Sequence, residues 1–172
     1  MTNRSATERG MKLCDLVPGG AIVANLRADD RNGVIRELVT VLSVTGAITD
    51  AEVEPVSRSI VTRERTRGTT GFGRGVAAPH TKLDGLKRVV VAVGRSAGGV
   101  DFSALDGEPV FGVFLVLSPT EQPEQHLRAM DVIFRVLQQE KFRRFLRQAD
   151  SEAKIAELLR EADEQTPPPS RS

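Results

Sequence analysis

Two long apolar runs in the middle of the chain restrict its possible folds more than any other feature. Residues 88–94 read RVVVAVG, and residues 109–118 read PVFGVFLVLS. The first run is rich in β-branched residues, the second adds aromatic ones, and neither alternates with polar side chains, which is typical of strands buried on both faces. A sheet built from such strands needs a layer of helices on each side.

Apolar residues at helical spacing flank these runs. One helix is expected over residues 34–42, a second from about 50 to 63, and a long one from about 123 to 139 with Leu127 on its inner face. The remaining expected elements are a strand at 21–26, a turn at 96–99, and short helices at 141–147 and 151–160. This arrangement predicts the α/β class, as a three-layer α/β/α sandwich with a small mixed β-sheet.

Length, charge and cysteine content exclude several classes of protein. A chain of 172 residues suits one domain, which we assign to residues 11–162, between a flexible N-terminus at 1–10 and a disordered Pro- and Ser-rich tail at 163–172. The formal net charge of +1 argues against a nucleic-acid partner. The single cysteine, Cys14, excludes an internal disulfide and a Cys-rich zinc cluster. The N-terminus lacks a signal peptide and no run approaches the ~18 apolar residues of a membrane span, so we expect a cytoplasmic protein without direct membrane insertion.

The chain has two histidines, His80 and His126, and both follow predicted strands. A short strand at 76–78 delivers His80, and Pro79 restricts the backbone there, which helps to aim the side chain. His126 lies in PEQHL, three residues after Pro123, the expected first helical residue. Functional groups gather at strand ends in α/β sheets, so the two side chains are expected to meet. A structural hydrogen-bonding histidine at 80 and an exposed one at 126 remain alternatives.

A glycine-rich loop precedes the first histidine. Residues 65–75 read RTRGTTGFGRG, and the loop offers backbone amides, hydroxyls and guanidinium groups that could surround an anion. The candidate ligands in it are Thr70, Gly73 and Gly75, with Arg63 just before it. The motif matches neither a Walker motif nor a dinucleotide-binding fingerprint, so a mobile surface loop is the alternative.

Together these residues describe a phosphohistidine site. A neutral imidazole nitrogen is a good nucleophile at pH 7 when an acceptor holds the other nitrogen. The dipole of the helix that carries His126 favours its neutral form, which can donate an N–H to a phosphate oxygen. No metal or cofactor is needed if the phosphoryl donor is itself a phosphohistidine. A histidine-based metal site is a weaker alternative, because no cysteine or carboxylate cluster accompanies either residue.

Several segments in order resemble a known family. They are RE at 63–64, TTGFGRGVAAPH at 69–80, LDGLKRVVVAVGR at 83–95, VDFSALDGEPVFGVFLVLSP at 100–119 and HLRAMDVIFRVL at 126–137. The chain resembles, over about residues 16–159, the enzyme IIA domains of the bacterial phosphoenolpyruvate-dependent phosphotransferase system, of the fructose/mannitol and nitrogen-regulatory type.

The resemblance implies a phosphotransferase component and a role for each site residue. His80 would accept a phosphoryl group from the carrier protein HPr, His126 would stabilise it, and Arg63 would lie near it. Thr70 matches the hydroxyl position of the loop. The phosphoryl group would pass to a IIB domain or serve as a regulatory signal toward a target protein, and the absence of a fused IIB or IIC segment favours the regulatory type.

The chain departs from the family pattern in three ways, and two of them, at Thr81 and in the basic segment, favour an alternative function. Thr81 stands where Gly, Ala or Cys usually follows the active histidine, and it is expected to tighten the space around His80. The segment between Arg63 and Thr70 is one residue longer than is common, so Arg65 competes with Arg63 for the charged role. Residues 58–88 carry eight Lys or Arg residues against two acidic ones, which would oppose docking of a positively charged HPr. The alternative is a non-catalytic regulatory module that binds proteins and has lost phosphoryl transfer.

Overall fold

The computed structural model describes residues 10–165 and contains one mixed β-sheet between two layers of helices. The strands are β1 Ile22–Val23, β2 Gly71–Gly73, β3 Val76–Ala77, β4 His80–Leu83, β5 Val90–Val100 and β6 Val110–Pro119. The helices are α1 Leu13–Leu16, α2 Arg31–Val44, α3 Val53–Thr66, α4 Pro123–Leu137, α5 Glu140–Gln148 and α6 Glu152–Gln165. A short 3₁₀ turn, Asp50–Glu52, leads into α3.

The sheet has the strand order β1-β5-β6-β3-β2, and β4 also pairs with β6. Strands β5 and β6 are antiparallel, whereas β3 and β4 both run parallel to β6. They share one edge of β6 at different levels, since Val76 is opposite Gly112 and His80 is opposite Val116. Strand β6 therefore fixes the register of the segment that carries His80.

Apolar side chains on the two faces of the sheet form two separate cores. On β5, Val91 and Val93 face a core shared with α1, α4, α5 and α6, whereas Val90 and Ala92 face a core shared with α2 and α3. This alternation follows from the two-residue period of a strand, and it explains why both faces of the central strands are apolar. The predicted three-layer α/β/α sandwich with a mixed sheet is confirmed.

Several predicted boundaries are wrong. Strand β5 continues through the expected turn at 96–99 and reaches Val100 after a register shift. The helical segment expected from about 50 to 63 does begin at Asp50, where Thr49 caps it by donating its backbone N–H to the carboxylate of Glu52 at 2.9 Å, but it continues to Thr66.

The C-terminal helix also extends beyond the predicted domain end at residue 162. Helix α6 reaches Gln165, and the Asp163 carboxylate accepts hydrogen bonds from the backbone N–H groups of Leu13 at 2.7 Å and Cys14 at 3.0 Å. These bonds connect α6 to α1, so residues 163–165 belong to the folded domain. The expectations for residues 1–9 and 166–172 lie outside the described residues.

The prediction for the inner face of α4 contains one error that affects the site. Leu127 was expected to face inward, but it is 68% exposed. The buried stripe of α4 begins with Ala129 and Met130, and His126 lies on its face because it is three residues before the first and four before the second. Leu127 is only at the edge of this stripe, whereas the side chain of His126 reaches Ser118 of β6 and therefore faces the sheet.

Candidate active site

The structure brings the two histidines together at the carboxyl end of β6. Their ring centroids lie 5.3 Å apart, with an angle of 44° between the ring planes. His80 is the first residue of β4, His126 lies in the first turn of α4, and both side chains are half-buried. The arrangement leaves each ring partly open to a partner molecule while the remainder is held by the protein.

A backbone carbonyl fixes the tautomer of His80. Its Nδ1 lies 3.0 Å from the carbonyl oxygen of Ala78. Because a carbonyl can only accept a hydrogen bond, Nδ1 must carry the proton and donate it. In the neutral ring, the lone pair is therefore on Nε2, which is the nitrogen available for nucleophilic attack.

His126 has a hydroxyl partner that the sequence analysis missed. Its Nδ1 lies 2.6 Å from Oγ of Ser118, which is fully buried near the end of β6. A polar residue at the end of an otherwise apolar strand was a possible signal for this contact, but nothing in the sequence indicated its partner.

Burial and neighbouring positive charges keep the pKa of His126 below its usual value. Burial is the largest cause, followed by the charges of His80, Lys82 and Arg63. A neutral form was expected from the dipole of α4, but the main cause in the structure is loss of solvent. A neutral His126 holds one N–H and one lone pair, so it can donate a hydrogen bond to an anion.

Among the arginines near the end of α3, Arg63 is the one whose charge acts on His126. It lies in the last turn of α3 and is half-buried, whereas Arg65 and Arg67 are exposed. Burial and the charge of Arg67 lower the pKa of Arg63, and the charge of Arg63 in turn lowers the pKa of His126. The structure therefore favours Arg63 over Arg65 as the charged group near the pair.

The hydroxyl of Thr70 is used within the protein. The carboxylate of Glu64, only 4% exposed, accepts hydrogen bonds from the Thr70 hydroxyl and, at 3.0 Å, from the Thr70 backbone N–H. The carbonyl of Thr70 in turn accepts from the backbone N–H of Ala78 at 3.3 Å. Thr70 thus anchors the segment whose Ala78 carbonyl holds His80, and Glu64, which the sequence analysis did not assign, anchors Thr70.

Gly73 and Gly75 do not lie at the histidine pair. They flank Arg74 at the turn between β2 and β3, and the carbonyl of Gly75 accepts from the backbone N–H of Phe111 at 2.9 Å. His80 pairs with Val116 instead, about 17 Å further along β6 at roughly 3.3 Å per residue. The structure gives Gly75 a packing role, because a Cβ there would lie 2.2 Å from the Phe111 ring.

Thr81 does not crowd His80, contrary to expectation. Successive side chains of a strand point to opposite faces, and Thr81 is directed toward α3, where its Oγ1 lies 2.6 Å from Oγ of Ser59. It is 3% exposed, so its hydroxyl is satisfied in the core between sheet and helix. The space around His80 depends instead on α4, which packs on the other face of the sheet.

Two features are absent from residues 10–165. Within this range, no group of three or more His, Cys, Asp or Glu side chains is arranged to hold a metal ion. No helix in the same range combines the length and the hydropathy needed to cross a bilayer.

Comparisons with known proteins agree with the fold. Residues 16–162 match the family described as "Phosphoenolpyruvate-dependent sugar phosphotransferase system, EIIA 2". The fructose-specific EIIABC component of Bacillus subtilis (strain 168) is 33% identical over 153 residues, which are 89% of this chain but only 24% of that relative. A nitrogen regulatory protein of Pseudomonas aeruginosa is 31% identical over 144 residues, covering 84% of this chain and 91% of the relative.

A solved structure, the nitrogen regulatory protein IIA-Ntr from Neisseria meningitidis, superposes with a TM-score of 0.72 at 27% identity, covering 86% of this chain and 98% of that one. The match to the family covers residues 16–162, a range within which both histidines and all six strands lie. The resemblance seen in the sequence is thereby confirmed. This chain belongs to the EIIA 2 family of the phosphoenolpyruvate-dependent sugar phosphotransferase system.

Proposed function

We propose that the chain is a phosphocarrier in which Nε2 of His80 accepts a phosphoryl group from a phosphohistidine of an HPr-like protein. The observation that carries the proposal is the 3.0 Å contact between Nδ1 of His80 and the Ala78 carbonyl, which leaves the Nε2 lone pair free. The N–P bond of the donor breaks as the new N–P bond to Nε2 forms. Both bonds are of the same kind, so the transfer is nearly isoenergetic.

The neighbours of His80 fit the needs of a bound phosphoryl group. A neutral His126 can donate an N–H to a phosphoryl oxygen across the 5.3 Å between the rings. Arg63 and Lys82, whose charges act on His126, add positive potential at the same place. Thr70 contributes indirectly, by holding the segment on which His80 depends.

The onward acceptor is a IIB domain or a regulatory target protein. The similar relatives include both a fructose-specific EIIABC component and a nitrogen regulatory protein, at 33% and 31% identity. Both uses start from the same phosphorylated His80, so they share the chemistry proposed here and differ only in the partner. Incubating the phosphorylated chain with a purified IIB domain and following phosphoryl transfer distinguishes the two.

The alternative is a binding module of this fold that does not transfer phosphoryl groups. The second half-buried histidine beside His80 and the positive charge of Arg63 favour the phosphocarrier, because a structural hydrogen bond from His80 to Ala78 would require neither of them. The basic segment 58–88 favours the binding module, because its positive charge would oppose docking of a positively charged HPr.

Intact mass after incubation with phosphoenolpyruvate, enzyme I and HPr tests the proposal. The wild type should gain one phosphoryl group that is stable in base and lost in acid. His80→Asn is the matched control, because the Asn amide can still donate to the Ala78 carbonyl, and this variant should gain none. Equal phosphorylation of His80→Asn would refute the assignment, and an unmodified wild type with active donors would favour the binding module.

A further inference from the structure

We propose that Ser118 is a positioning residue that sets the tautomer of His126, so that Nε2 of His126 carries the proton offered to the phosphoryl group. The inference rests on the proposed function of His80 and assigns a role to a residue that has none so far. Its basis is the 2.6 Å contact between Oγ of Ser118 and Nδ1 of His126, at a serine with no exposed surface.

The positions of the protons in this contact favour donation from the Ser118 hydroxyl to Nδ1 of His126. A hydroxyl can donate or accept, and Nδ1 of a neutral imidazole can be either an N–H or a lone pair. If Nδ1 donated, the buried hydroxyl proton of Ser118 would need a second acceptor, and leaving it unmatched is costly. Among residues 10–165, the hydrogen-bond partner of this hydroxyl is Nδ1 of His126. Donation from Ser118 to Nδ1 satisfies both groups and leaves the single imidazole proton on Nε2.

The position of Ser118 makes this arrangement rigid. Its backbone pairs with Lys82 of β4, and the preceding Leu117 pairs with Val90 of β5, so the end of β6 is held on both sides. Burial of His126 itself lowers the pKa of its ring and favours the neutral form, in which the bond to Ser118 can select one tautomer. A serine at an exposed or flexible position could rotate and would not select a tautomer.

The tautomer decides what His126 can do for a phosphorylated His80. Phosphoryl oxygens accept hydrogen bonds, so an N–H at Nε2 stabilises them, whereas a lone pair at Nε2 would repel them. Ser118 acts only through His126, and its loss should therefore weaken stabilisation without removing the nucleophile.

Imidazole ¹⁵N NMR of the full chain tests the tautomer directly. Long-range ¹H–¹⁵N spectra at neutral pH should show Nε2–H as the single form of His126 in the wild type. Ser118→Ala should give a mixture of tautomers, and Ser118→Thr, which keeps the hydroxyl, should restore the single form. The unchanged spectrum of His80 serves as an internal control for folding. A wild type with the proton on Nδ1, or a Ser118→Ala variant that keeps a pure Nε2–H form, would overturn the proposal.

A second readout follows the lifetime of the phosphoryl group. When His80 is loaded chemically with phosphoramidate, Ser118→Ala should lose the group about fivefold faster than the wild type, the fold-change that corresponds to a typical hydrogen bond. Ser118→Thr should recover the wild-type lifetime, and equal lifetimes in all three proteins would contradict the proposed role. A wild type that accepts no phosphoryl group refutes the proposed function instead, while the NMR result still decides the tautomer.

Discussion

Replacing Gly75 by alanine should destabilise the protein by about 3 kcal/mol while leaving the chemistry of His80 intact. Gly75 has φ 83°, a left-handed conformation that costs a residue with a Cβ roughly 1–2 kcal/mol. A Cβ there would also lie 2.2 Å from Cε1 of Phe111, and overpacking of this kind costs about 1–3 kcal/mol. The backbone cannot shift easily, because the Gly75 carbonyl accepts bonds from Phe111 at 2.9 Å and Gly112 at 3.1 Å.

Gly46→Ala is a matched control, because Gly46 has φ 84° and open space where a Cβ would be. It should lose only the conformational part, about 1 kcal/mol. The difference of about 2 kcal/mol corresponds to roughly 4–8 °C in melting temperature for a domain of this size. Thermal unfolding followed by far-UV circular dichroism measures it, since the chain has no Trp or Tyr for fluorescence.

Two outcomes would refute this reasoning. If Gly75→Ala and Gly46→Ala were equally stable, the contact with Phe111 would not limit the site, and the added Phe111→Leu change would bring no recovery. If Gly75→Ala were stable but no longer phosphorylated, the glycine would belong to the phosphoryl site after all. The rate of phosphorylation per folded molecule separates the two roles of Gly75.

Three further predictions concern the histidine pair and its surroundings. His126→Ala should slow phosphorylation of His80 by about a hundredfold, measured by quenched-flow intact mass, because a transition-state donor is lost. Thr81→Ala should lower the free energy of unfolding in urea by about 1 kcal/mol, because Ser59 loses its 2.6 Å partner, with the rate per folded molecule unchanged. The lowered pKa of His126 means that the unfolded chain binds more protons, so stability should fall as the pH drops through the usual histidine value of about 6.5, and His126→Gln should reduce this slope.

The layered fold could be predicted from the sequence, because the apolar runs that form β5 and β6 admit few alternatives. The meeting of His80 and His126 followed from their places after predicted strands. Finer contacts could not be predicted in this way. Whether Leu127 or His126 faces the sheet depends on the rotational phase of α4, and one residue changes that phase by about 100°.

The hydrogen-bond partners of the site residues could not be predicted from the sequence either. Glu64 bonds to Thr70 and Ser118 bonds to His126 across six and eight residues respectively, with their side chains oriented by tertiary packing. Hydroxyls and carboxylates are common in any sequence, so composition and spacing carry little information about which of them become buried partners. Thr81 illustrates the same limit, since the strand period directs it away from the residue that it follows.

Strand β6 aligns both histidines, which explains how two distant segments make one site. The segment Ala78–Pro79 interrupts the pairing of β3 and β4 with β6, but the Pro79 carbonyl still accepts from the backbone N–H of Val116 at 2.9 Å. The interruption frees the Ala78 carbonyl for His80, which pairs opposite Val116. Ser118, on the same face of β6 because it lies two residues further on, holds His126. The two histidines are therefore anchored at positions two residues apart on a single buried strand, and their ring centroids lie 5.3 Å from each other.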